Sequence, residues 1–310
     1  MYRLILYGTL LTVVMIWGLN VTATKILVNY FPPVTMTALR IFVAGLSAIL
    51  ILSIRKKFKT FKKRGMFYIF LVAMFNVVGH QFFLSIGLTK TTASNTGILL
   101  GMVPLITSVL AVIFLGDRLT IMKCIGILIG FSGVTFIVIK GSSGFQAISI
   151  GDFYIFLSVL AQGISFVLIK KVASQMDGTV MTAWMLLFGS IILFFMGLIK
   201  EPSGLMNFSN VTPMVWIIFF SSAVLATGVG HMFYNKILQK IGAAEAAVFI
   251  NFNPFFALIG AHFFLKEQIF YSQILGFLMV VVGVLFVTGE WGKIRKRRQV
   301  KFDGKIRSIK

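Results

Sequence analysis

Ten apolar runs, each about as long as a bilayer is thick and parted by short polar joints, decide what this chain can fold into. They cover 4–24, 35–54, 66–88, 95–115, 121–139, 152–169, 179–199, 213–235, 243–265 and 270–289. A hydrocarbon core of about 30 Å is crossed by about 20 residues of helix at about 1.5 Å each. Each run is therefore read as a membrane-spanning helix, and the fold class as an all-α membrane protein of ten transmembrane helices. The joints carry breakers or charge: Phe31-Pro32-Pro33, Arg55 to Gly65, Gly116-Asp117-Arg118, Gly141-Ser142-Ser143-Gly144, Lys200-Glu201-Pro202 and Gly242. Only 12% of residues are charged, against about 25% in a soluble domain. That is too little polar surface to cover a water-facing globule.

The charges that remain set orientation. The net charge of +21 could suggest nucleic-acid binding, but the cations stand in the joints, where they act as topology signals and meet anionic headgroups. No nucleic-acid partner is expected; membrane lipid is. With the N-terminus in the cytoplasm, 23 cations fall inside and 5 outside, while Arg40 lies within a span. This favours both termini inside, hence an even span count and a multi-pass cell-membrane protein. The start resembles a signal peptide, but the apolar run is long for one and has a partner later in the chain. Cys124 alone excludes an intrachain disulfide framework and reads as an inert thiol in an apolar helix.

That partner belongs to an internal repeat. Gly79-His80 recurs as Gly230-His231, Pro104 as Pro254, Leu115-Gly116-Asp117-Arg118-Leu119 as Leu265-Lys266-Glu267-Gln268-Ile269, and Gly126 and Gly133 as Gly276 and Gly283. Gly18, Lys25 and Met36-Thr37-Ala38 match Gly163, Lys170 and Met181-Thr182-Ala183 more weakly. The halves are 4–140 and 151–289, five spans each, followed by a basic cytoplasmic tail at 290–310. An odd number of spans puts the second half in from the opposite side, so the halves form inverted repeats. Such repeats give a carrier two nearly equivalent conformations, one open to each side.

These stretches resemble the EamA type of the drug/metabolite transporter superfamily. The resemblance spans nearly the whole chain and rests on a mid-helix Pro, a Gly-acidic-basic turn and two glycines seven apart. The second half departs from it at Lys266 and Gln268. It implies a ten-helix carrier with a central cavity, often an exporter of amino acids or other small metabolites. Small multidrug relatives use a carboxylate in their first helix to bind protons and cations; residues 4–24 contain none, which disfavours that route here.

No HExxH, CxxC, Walker loop or GxSxG occurs, so neither a catalytic site nor a metal nor a cofactor is expected. Polar residues inside lipid are costly and face the bundle interior. The candidate solute-binding residues are Asn20, Arg40, Asn76, His80, Gln81, Gln162, His231, Asn235, Asn251 and Asn253. Arg40, near the outer boundary, reads first as a snorkelling or packing residue and second as a solute-facing one. Asn76 and His80 share a helix face, as do His231 and Asn235, and the two histidines should stand at mirrored depths along a pathway. Pro104 and Pro254 remove a backbone donor in mid-span and are candidate hinges. Asp117, Glu245 and Glu267 read as turn or helix-start residues, and Asp152 as a cap of the sixth span. The fifth and tenth spans, nearly free of polar residues, are expected at the periphery or at a subunit contact, as in a homodimer. The expected activity is secondary transport of a small solute, an amino acid or related metabolite, in the export direction. The rival readings are a membrane sensor or assembly protein without flux, and a lipid-modifying membrane enzyme.

Overall fold

The computed structural model describes residues 2–116, 120–139, 149–172, 176–208, 211–241 and 249–288, and among them every regular element is helical. Within the described residues the helices string into ten rods. They are α1 (Tyr2–Tyr30), α2 (Pro33–Ile54), α3 (Lys63–Ala73 and His80–Lys90, joined by the π-helical stretch Met74–Gly79), α4 (Ala93–Leu100 and Val103–Leu115) and α5 (Ile121–Ile139). Then come α6 (Ile150–Val172), α7 (Gly178–Lys200), α8 (Pro213–Phe220 and Gly230–Ile241, joined by the π-helical Ser221–Val229), α9 (Asn253–Leu265) and α10 (Tyr271–Thr288). Among the described residues, seven stretches are long and apolar enough to cross a membrane: Leu4–Tyr30, Pro33–Ile54, Lys63–Lys90, Ala93–Leu115, Ile150–Lys171, Gly178–Lys200 and Pro213–Tyr234. The apolar helices Ile121–Thr135, Asn253–Leu265 and Tyr271–Val287 are shorter. Large apolar side chains point outward, among them Phe114, Ile199, Phe264 and Tyr271. An outer surface of this kind needs lipid rather than water.

Local chemistry explains the helix ends. Pro33 and Pro213 sit in the first turns of α2 and α8, where a missing N–H costs nothing. Asp177 caps α7 by accepting from the amides of Thr179 and Val180. Partial burial would raise its carboxyl, but the hydrogen bonds from Thr179 and Val180 and the nearby Lys57 outweigh it and hold the group below its ordinary value. α4 ends on Gly116 at φ 68°, and α9 ends on Lys266 at φ 58°. Both are left-handed C-terminal turns at repeat-related positions, one made by a glycine and one by a lysine.

Two expectations about the ends change. α1 runs six residues beyond the predicted 4–24, because Lys25 does not end it: its ammonium donates to the carbonyls of Leu88 (2.5 Å) and Thr91 (2.8 Å) at the close of α3. Asp152 does not cap α6. Ser149 does, accepting from the Gly151 amide, while Asp152 sits in the first turn and accepts from the Thr91 hydroxyl. The expectations for Asp117, Glu245 and the tail fall outside the described residues.

Packing follows the glycines. A Cβ on Gly126 would meet the Gly283 carbonyl oxygen at 2.5 Å, and one on Gly133 would meet the Gly276 carbonyl oxygen at 2.8 Å. These four residues are two repeat-related pairs, and exchanging the halves turns one contact into the other. α5 and α10 thus lie backbone against backbone, with Ile125, Leu128, Leu275 and Leu278 facing out. The same exchange relates two further contacts. Gly18 of α1 abuts Phe256 and Ala257 of α9, and Gly163 of α6 abuts Ile106 and Thr107 of α4.

Candidate functional site

Where α1, α3, α4, α6, α8 and α9 meet, they enclose a cavity of about 80 Å³. Its wall is drawn from both halves at matching positions: Trp17 with Gln162, Val21 with Phe166, His80 with His231, Leu100 with Ile250, and Val103 with Asn253. Asn20, Thr24, Gln81 and Thr227 add neutral polar groups. A volume this small holds a few waters, whereas sites for bound small molecules run to about 300–1,000 Å³.

Two irregularities in the backbone shape this wall. The first is the pair of π-helical stretches, which end at Gly79 and Val229, directly before His80 and Gly230-His231. A wide turn shifts the helix register and re-aims the side chains that follow. The His80 ring lies against α6, with Nδ1 2.7 Å from the Ser158 hydroxyl. His231 Nδ1 lies 2.9 Å from the Thr227 carbonyl oxygen, and its ring packs 4.7 Å from that of Trp17. The Trp17 indole donates to the Ala226 carbonyl across the same gap. The second irregularity is a break in each proline helix, at Gly101-Met102 in α4 and at Asn251-Phe252 before α9. Pro104 and Pro254 open the second segments, and an α-helical amide at either position would have bonded the carbonyl four residues earlier. Those residues, Leu100 and Ile250, both line the cavity. A Cβ on Gly101 would lie 2.7 Å from Pro254, so the two breaks touch.

The sequence candidates divide accordingly. Asn20, His80, Gln81, Gln162, His231 and Asn253 are brought together on the wall. Asn76 is not on it; its amide donates to Ser165 and ties α3 to α6. Asn251 is buried off the wall, and its side-chain oxygen and nitrogen find no partner. Asn235 lies in α8, with its side chain outside the described residues. Arg40 does not snorkel. It is 1% exposed, and α3 and α8 take up its charge: Nη2 donates to Gln81 Oε1 (2.8 Å), and Nη1 to Thr227 Oγ1 (2.9 Å) and Ser222 Oγ (3.2 Å). Helix rise placed it near a boundary; the hydroxyls of the π-helical stretch in α8 hold it inside. Trp17, Thr24 and Thr227 were missed as candidates. Trp17 stands 145 residues before Gln162, the offset that already paired Gly18 with Gly163.

Beyond the cavity, the helices are tied together in both directions. About 10 Å along α4 from Leu100, the Glu267 carboxylate accepts from the Ala93 amide (2.8 Å), the Ser94 amide (2.9 Å) and the Ser94 hydroxyl (2.6 Å). It therefore caps α4, not its own next helix. Glu201, at the end of α7, does the same for α2 through the Val34 and Thr35 amides and the Thr35 hydroxyl. Gln273 donates to Asn95 beside them. In the other direction, Leu10, Val13, Tyr234, Ile237 and Ile250 pack into an apolar plug under Trp17.

Comparison with known proteins shows the family. The model of the EamA-like transporter family matches residues 4–139 and 149–289. Two proteins of Bacillus subtilis strain 168, each described as an uncharacterized transporter, are similar along nearly their whole length. YoaV is 26% identical over 90% of this chain and 95% of its own, and YyaM is 28% identical over 93% and 95%. A WAT1-related chloroplastic protein of Arabidopsis thaliana is 23% identical over 87% of this chain and 66% of its own. A crystal structure of a protein 15% identical superposes with a TM-score of 0.65 over 92% of this chain and 97% of that one, which shows a shared fold. With a family match over both halves, and relatives that are transporters rather than enzymes, the chain is a multi-pass membrane transporter that belongs to the EamA-like transporter family.

Proposed function

We propose that the protein is a secondary carrier that exports a small metabolite, an amino acid or related solute, across the cell membrane by alternating access. In this reading α1–α5 and α6–α10 are inverted five-helix repeats, with both termini in the cytoplasm. The observation that carries the reading is the cavity wall, in which five pairs of repeat-related residues from the two halves face one space at the crossing of two broken helices. A site shared between inverted halves is reached from one side when they rock one way and from the other when they rock back. Pro104 and Pro254 serve as hinges, since helical bonding is already interrupted just before each of them. The Glu201 and Glu267 clamps hold one gate shut, and the plug around Tyr234 holds the other. The cavity is too small for a metabolite in this closed form and widens when either gate opens.

Purified protein in sealed vesicles, loaded with a panel of amino acids, other small carboxylates and amines, tests this. Solute counterflow above empty vesicles is the expected result. Absence of counterflow for the whole panel, from protein that keeps its helical content, would instead favour a sensor or assembly role.

A further inference from the structure

We infer that Arg40 is the anion-recognising group of the central cavity, and that the solute carries a carboxylate which replaces Gln81 in the guanidinium's fork. This deepens the transport reading and rests on it. Arg40 is buried, yet every side chain it donates to is neutral: Gln81, Thr227 and Ser222. Its Nε has no partner among the described residues. The described acids are engaged elsewhere, Glu201 and Glu267 at helix starts, Asp152 with Thr91, and Asp177 in its own cap. A buried cation without a counter-charge is costly, and an arriving anion relieves that cost.

The charge stands one side-chain layer from the cavity. Gln81 and Thr227 line the wall and bond Arg40 directly. Ser222 accepts from Arg40 and donates to Asn20 Oδ1, another wall residue. Rotation of Gln81 alone gives a carboxylate two planar donors, the geometry arginine offers best. One cation among neutral wall groups suits a singly charged carboxylate better than a doubly charged phosphate.

The repeat supplies an internal control. At the offset that pairs Met36-Thr37-Ala38 with Met181-Thr182-Ala183, Arg40 corresponds to Met185. Beside the matched Gly-His pairs, Gln81 corresponds to Met232. Both methionines are buried, each in an apolar cluster, so the second half fills these two positions without a charge or an amide. The Arg–Gln pair is therefore an addition to one half, not a demand of the fold.

Two variants and one ligand series test this. Thermal shift and counterflow are measured on purified protein with amino acids, simple aliphatic and aromatic carboxylates, and the amide of each. Wild type should respond to carboxylates and not to their amides. Arg40→Met should abolish that response. Gln81→Glu, which supplies a built-in carboxylate, should raise the melting temperature without ligand and weaken carboxylate binding by at least about tenfold. Binding of carboxylates that depends on Arg40, but without flux, would uphold the anion site while refuting the carrier. Equal responses to acids and amides, a response to no carboxylate, or Gln81→Glu that binds carboxylates as wild type does, would each overturn the inference. The last of these decides even if Arg40→Met fails to fold.

Discussion

Substitution of Glu267 by glutamine probes the clamp on α4 with one atom changed. The carboxylate uses both oxygens, one for the Ala93 amide and one for the Ser94 amide and hydroxyl. Glutamine keeps one acceptor and turns an NH2 toward a backbone N–H. An unsatisfied donor costs about 1–3 kcal/mol, and bonds to a charged group are about twice as strong as neutral ones. Loss of charge at the α4 start removes a further 0.3–1 kcal/mol or so of helix-dipole attraction. Glu267 is half-buried, so water relieves part of this, and about 2 kcal/mol remains. If the clamp exists only while this gate is shut, the open form gains about 30-fold in population. With Cys124 replaced by alanine and a cysteine placed at Leu84 on the cavity wall, labelling by a membrane-impermeant maleimide should rise by that factor. A lower melting temperature with unchanged labelling would show that Glu267 only stabilises the fold, and the gate assignment would be wrong.

Gly126→Leu drives a side chain into the Gly283 carbonyl, which cannot move aside, so a loss of at least about 1–3 kcal/mol is expected in detergent melts. The same change at the open Gly8, which has nothing within 4 Å of its Cβ position, should cost nothing and gain up to about 1 kcal/mol from leucine's better helix propensity. Lys266→Gly removes a left-handed strain that Gly116 avoids at the matching turn, and should stabilise by about 1 kcal/mol. Asp177→Ala should cost about 0.5–2 kcal/mol at neutral pH. Because the Asp177 carboxyl is held below its ordinary 3.8, that difference is present above pH 3.8 and vanishes as pH falls through the lowered value, which melts of both proteins against pH would show.

Much of the bundle was legible because lipid imposes a length on apolar runs. The predicted 35–54 and 179–199 lie within two residues of Pro33–Ile54 and Gly178–Lys200. Where a charge turned inward, the reading failed. Lys25 seemed to end a span and Arg40 to seek a surface, yet both found backbone, hydroxyl or side-chain amide partners 41 to 187 residues away. Glu267 and Glu201 likewise cap helices 166 to 174 residues earlier in the chain, pairings that no local pattern announces. Most of the polar wall could be read from mid-span polar residues, because few polar groups enter a membrane helix without purpose. The π-helical stretches could not, since a shift in hydrogen-bond register leaves no mark on composition. They bear the turns from which His80 and Thr227 reach the cavity wall while Asn76 bonds to α6.

Accessibility from both membrane faces tests alternating access most directly. Single cysteines at Val21 and Phe166, a matched pair on the cavity wall, would be probed in oriented vesicles with an impermeant reagent applied to one face or the other. Both positions should react from either face, and a transported solute should slow both reactions. Reaction from one face only, with and without solute, would contradict a site shared between two rocking halves.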